Sequence, residues 1–347
     1  MAGALADVDD IERARERIGD AVRRTPVVES SSLGATLGVP VHLKLEHQQI
    51  TGSFKLRGAS NAVRSLSAAQ RERGVVGVST GNHGRGLAHA AREAGVRCIV
   101  CLSALVPRNK VDGIRAQGAE VRIVGRSQDD AQVEVDRLVA EEGMTLLPPF
   151  DHADIVAGQG TLGLELLEQV PDVRTVLVPV SGGGLLAGVG AAIRARRPRA
   201  RLVGVSMRRG AAMHASLEAG RPVRVEELPT LADSLGGGIG LDNRHTFDAA
   251  RALLDDFVLV DEPDIAAGIR HGYWQERQIL EGSGAVCIAA LLGGGVRSDG
   301  PIVALCTGGN IDMALHHRVV SGEDVDVAAG TEGAAGRPED DDQSGET

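Results

Sequence analysis

The sequence predicts an α/β protein built on two open, twisted, largely parallel sheets flanked by helices. Short apolar runs alternate with longer amphipathic stretches between about residues 74 and 308. That is the order in which strands and helices follow one another when helical crossovers join parallel strands. Three of the runs end in glycine-rich turns, within GVSTG, PVSGGG and LCTGG. Apolar residues make up 43% of the chain and aromatic residues only 2%, so a sizeable core must pack from Ala, Val, Leu and Ile.

The first 22 residues, MAGALADVDDIERARERIGDAV, lack the unbroken apolar core of a secretion signal. No run of 18 apolar residues exists, so a cytoplasmic protein without a membrane partner is expected. TGSFKLRGAS, residues 51–60, leads from a polar segment into a helix. VVGVS (75–79), RCIVCLS (97–103) and EVRIVG (120–125) read as strands, each followed by a helical stretch. A double proline at 148–149 closes this set. TVLVPV (175–180), RLVGVS (201–206) and IVALCTG (302–308) read as strands of a second sheet. The expected division is a large domain of residues 1–73 plus 149–320, a small domain of residues 74–148, and a disordered tail of residues 321–347. The tail holds nine acids against one arginine, so most of the net charge of −10 resides there. The body is near neutral, and no basic surface for nucleic acid is implied. Cys98 and Cys101 fall on one apparent strand, where residues three apart face opposite sides, so they read as core and not as a redox or metal pair.

Of the 37 Lys and Arg residues only three are lysine: Lys44, Lys55 and Lys110. Few residues can therefore serve as an amine nucleophile, because arginine stays protonated and forms no Schiff base. Ser181-Gly182-Gly183-Gly184 turns from an apolar strand into a helix. Consecutive glycines let several N–H groups face one anion, and the helix N-terminus adds its dipole. The glycine spacing nearly fits a dinucleotide fingerprint, but no acid closes the next strand and no GK[ST] follows. A single phosphate suits the turn best. The turn GVSTGNHGRG offers hydroxyls and N–H groups at another helix N-terminus, suited to a carboxylate. Gly77-Val78-Ser79-Thr80-Gly81 also matches the G-x-S-x-G of a nucleophile elbow, so a serine hydrolase at Ser79 is a competing reading. LCTGGN, residues 305–310, places Cys306 and Thr307 at a strand end. An amine, a cradle for one phosphate, a partner for a ring nitrogen and a carboxylate clamp are the four requirements of pyridoxal phosphate acting on an amino acid.

With LKLEHQQITGSFKLRGA, STGNHG, VAGQGTLGLEL, PVSGGGLLAG and LCTGGN in this order, the chain from about Asp10 to His317 resembles the fold-type II pyridoxal-phosphate enzymes, specifically the serine/threonine dehydratase family. STGNHGRGLAHAA and TLADSLGGGIGLDN resemble its hydroxyectoine-utilisation branch. The resemblance implies a tryptophan synthase β-like fold, the cofactor between two domains, a small amino-acid substrate and a homodimer. The implied activity is deamination of a β-hydroxy amino acid to a 2-oxo acid and ammonia. By the same resemblance, Lys55 carries the cofactor and acts as the proton-transfer base, with Phe54 near the cofactor. Asn82 bonds the ring's phenolic oxygen, and Ser181, Gly182, Gly183, Gly184 and Leu185 hold the phosphate. Cys306 faces the pyridine nitrogen, and Ser79, Thr80, Gly81 and His83 bind the substrate carboxylate. Three departures stand out. Ser206 occupies the place of a metal-binding acid in GVSMRRGAAM, so no metal is expected there. Thr80 stands where family racemases use serine, which weakens racemisation without excluding it, and an amino-acid racemase is the second reading. Ala232-Asp233-Ser234 replaces the usual Ala-Asp-Gly. Phe150 reads equally as core or as the wall of a side-chain pocket.

Overall fold

The computed structural model describes residues 6–79, 81–104, 106, 108–325 and 327. Thr80 and most of the acidic tail lie outside the described residues. Among the described residues ten strands form two sheets: β1 (Val27–Glu29), β2 (Val41–Lys44), β3 (Val75–Val78), β4 (Cys98–Leu102), β5 (Glu120–Ile123), β6 (Thr145–Leu146), β7 (Thr175–Pro179), β8 (Arg201–Met207), β9 (Asp256–Val260) and β10 (Ile302–Leu305). One sheet runs β5-β4-β3-β6 and the other β1-β2-β10-β7-β8-β9. Every pairing is parallel except β1 with β2. The expected α/β architecture is therefore present.

The central strands β3, β4, β7 and β10 are buried along their whole length. They are covered on both faces by helices, which explains why their sequences are continuous apolar runs without alternation. The edge strand β5 instead exposes Glu120 and Ile123 at its ends. Cys98 and Cys101 point into separate cores on opposite faces of the four-stranded sheet. Burial raises their thiol pKa values to about 12 and about 11.

The helix Lys55–Arg64 joins the two sheets. Its Leu56, Ala59, Ala62 and Val63 pack into the core of the smaller sheet. Its other side meets the helix Ala153–Gln169 through glycine. A Cβ on Gly158 would lie 2.7 Å from the Cα of Gly58, so the two backbones touch where any side chain would wedge them apart. This contact seats Lys55, the first residue of its helix, between the sheets.

Candidate active site

A cavity of about 710 Å³ opens at the carboxyl ends of β3, β7 and β10, the usual ligand position in parallel α/β sheets. Phe54, Lys55, Ser79, Gly81, Asn82, His83 and the turn from Ser181 to Leu185 all line it. Thr307, just past β10, lines it too, so segments more than 200 residues apart in the chain meet at one place. A smaller cavity of about 300 Å³, beside Arg13, Arg17 and His245, carries none of these groups.

Lys55 differs from the other two lysines. Lys44 is ion-paired with Glu165, and Lys110 with Asp233. Lys55 has no ion pair among the described residues; its Nζ donates to the carbonyl oxygen of Pro149 at 2.8 Å. Burial penalises its charged form and lowers its pKa to about 8. A half-buried amine whose charged form is this much disfavoured is chemically available as nucleophile and as base.

The turn after β7 carries Gly183 at φ +86°, the left-handed conformation that glycine adopts without strain. The helix Gly184–Arg196 follows at once. The N–H groups of Gly182, Gly183, Gly184 and Leu185 meet no acceptor among the described residues. Several orphan donors and a helix N-terminus converge on one side of the cavity, an arrangement for an anion.

The turn after β3 is built differently. The Oγ of Ser79 accepts the N–H of Gly84 at 2.8 Å and that of Gly81 at 3.3 Å, which fixes the start of the helix Asn82–Glu93. His83 turns its ring away: Nε2–H donates to the carbonyl of Leu147 at 2.9 Å. Burial, then the charge of Lys55, push its pKa down to about 3, so the ring is neutral. Ser79 therefore has no histidine base among the described residues, and the hydrolase reading fails on geometry. With its ring proton committed to Leu147, His83 can offer a carboxylate only its backbone N–H.

Asn82 is held at both ends of its amide. Nδ2 donates to Glu281 Oε1 at 2.6 Å, and Oδ1 accepts from Asn310 Nδ2 at 2.6 Å. Asn310 in turn accepts from Arg85 Nη1 at 2.9 Å. Glu281, overlooked in the sequence, lines the cavity and is buried. Burial, with the charge of Asp233, raises its pKa to about 7. The residue stands in LEGSGAV, where an acid before a helix reads as an ordinary cap.

Cys306 is the correction. It is fully buried and belongs to the same core as Ile302 and Ala304, two and four residues earlier. Side chains alternate along an extended strand, so Cys306 points into that core while Thr307 lines the cavity. The thiol is pushed up to about 12 by burial. Beside Thr307, Ser283 also lines the cavity, and its Oγ has no hydrogen-bond partner among the described residues.

The model of the family described as "Pyridoxal-phosphate dependent enzyme" matches residues 18–308. The chain belongs to this family. A Sinorhizobium fredii protein named "Putative threonine dehydratase" is 62% identical over 316 residues, 91% of this chain and 95% of that protein. The L-threonine ammonia-lyase of Thermotoga maritima is 37% identical, with 91% of this chain and 79% of that protein covered. Among solved structures, maize serine racemase superposes with a TM-score of 0.85 at 33% identity, covering 92% of this chain and 98% of the racemase. The family's cofactor is pyridoxal phosphate, and the residues present fit it. They supply one amine without a counter-charge, orphan N–H donors for the phosphate, and a hydroxyl pair at Ser283 and Thr307 with one oxygen unpartnered.

Proposed function

We propose that this family member is an ammonia-lyase acting on a small β-hydroxy α-amino acid of the threonine and serine type, giving a 2-oxo acid and ammonia. The observation that carries the reading is the ion-pair-free amine of Lys55 in one cavity with the orphan donors at Gly182–Leu185. The names of the relatives support the same class.

Bound there, pyridoxal phosphate supplies an electron sink conjugated to the substrate's Cα–H bond. The chain's own groups do the rest. The N–H groups of Gly182, Gly183, Gly184 and Leu185 grip the phosphate without needing a cationic side chain. Lys55 takes the Cα proton, because burial has already removed most of its preference for the charged form. The Ser79–His83 turn binds the substrate carboxylate through backbone N–H groups and the dipole of the helix Asn82–Glu93. Asn82, clamped by Glu281 and Asn310, would turn its second amide N–H, whose nitrogen lies 3.5 Å from Ser234 Oγ, to the ring's oxygen. Thr307, which lines the cavity where Cys306 does not, would face the pyridine nitrogen. A hydroxyl there would offer that nitrogen a neutral hydrogen-bond partner and no charge. We read the assembly as a cytoplasmic homodimer; the exposed Trp274, Ile279 and Met313 support a subunit contact.

The test is a 2-oxo acid assay across L-serine, L-threonine and the hydroxyaspartate isomers, with chiral analysis of recovered substrate. Keto acid and ammonia in equal amounts support the lyase. Racemised serine without pyruvate supports the racemase instead.

A further inference from the structure

The glycine turn is gripped from two sides. A Cβ on Gly182 would collide with the ring of Phe150, and one on Gly184 would lie 2.9 Å from the Phe150 Cα. On the opposite side, a Cβ on Gly183 would lie 3.0 Å from that of Thr246 and 2.7 Å from the methyl of Met213. Phe150 and Thr246 are therefore the two jaws of the cradle. They come from distant segments, and one side chain ties them together. Asp151 follows Phe150, and its carboxylate accepts the backbone N–H of Arg244 at 2.8 Å, of His245 at 2.8 Å and of Thr246 at 3.1 Å. Those donors open the helix Thr246–Leu253, where a carboxylate also meets the positive end of the helix dipole. The residue before Phe150, Pro149, supplies the carbonyl that seats the Lys55 amine. Asn243 reinforces the far jaw: its Oδ1 accepts from Thr246 and Phe247 N–H, and its Nδ2 donates to Thr246 Oγ1 at 2.8 Å.

We infer that Asp151 is a positioning residue: by binding the start of the Thr246 helix it sets the spacing of the two jaws and so shapes the glycine turn for the cofactor's phosphate. Asp151 itself does not line the cavity, so its effect on the phosphate passes through Phe150 and Thr246. The inference rests on reading Ser181–Leu185 as the phosphate cradle.

The experiment compares retention of pyridoxal phosphate and of pyridoxal, which lacks the phosphate. Both are loaded onto the full-length protein, wild type and Asp151→Ala, and retention is followed by absorbance through serial dialysis. Asp151→Asn, which keeps the shape and one acceptor oxygen, is the variant to use if the alanine form does not fold. In wild type the phosphate form is held far more tightly. In either variant, loss of charged hydrogen bonds weakens pyridoxal phosphate by about tenfold or more, while pyridoxal affinity changes much less. A wild type that holds both alike overturns the cradle reading itself. Discrimination intact in wild type but unchanged in the variants, or both affinities falling by one common factor, overturns the role of Asp151 alone.

Discussion

Two lysines stand eleven residues apart in the chain, one fully buried and one half-buried at the cavity wall, and the fold treats them in opposite ways. Lys44 is fully buried, yet it bonds Glu165, Gln169 and the carbonyl of Thr25. Arg57 extends the network, reaching Glu46 at 2.7 Å and Glu165 at 2.9 Å. Lys55 receives one neutral carbonyl and no carboxylate among the described residues. For Lys44, burial lowers the pKa while Glu46 and Glu165 oppose it; for Lys55, burial acts alone. A buried charge surrounded by carboxylates is scaffold. A desolvated amine left uncompensated costs stability and has a chemical use.

The largest expected effect comes from Lys55→Ala. Removal of the proton-transfer base alone should cost ~10²–10⁴ in kcat, measured as keto acid release. The same change should leave the cofactor-free chain as stable as wild type or more so. The folded amine titrates near 8 and the unfolded one near 10.5. Below pH 8 both states are protonated and the native state bears the full burial cost, so the gain is greatest there and fades as pH rises through that window. A thermal melt at pH 7 checks it.

Glu165→Gln should do the reverse. It leaves Lys44 and Arg57 short of a counter-charge and should destabilise the fold by about 3–5 kcal/mol, read by urea denaturation. Per folded molecule, kcat should change little. If both substitutions act alike on stability, the contrast between the two lysines is broken.

A third, smaller effect concerns Glu281. Its carboxyl titrates near 7 when folded and near its usual 4.5 when unfolded. Between those values the native state holds the extra proton, so this residue's contribution to stability falls as pH rises through the window. Glu281→Gln should flatten that slope, visible in melts from pH 5 to 8.

The smallest effect separates two neighbours. Thr307→Val should weaken cofactor binding by about tenfold at most. Cys306→Ala should leave it unchanged and cost about 1 kcal/mol of packing.

Much of this was legible beforehand. Parallel strands ending in glycine turns announced the sheets and the anion site, because the chemistry of such turns is local. The short strands β1, β2 and β9 were not, since a run such as VHLK or DFVLV carries too few residues to show a period. Cys306 against Thr307 turned on strand parity, which a six-residue turn does not reveal until the strand's own core face is known. Glu281 was hidden because its burial depends on the close approach of Asn82, 199 residues away in the chain.

The most direct measurement is reduction of the pyridoxal-phosphate-loaded protein with borohydride, followed by peptide mapping. Only three lysines can take the tag. A pyridoxyl group on Lys55 alone is the predicted result; one on Lys44 or Lys110, with Lys55 unmodified, contradicts the account.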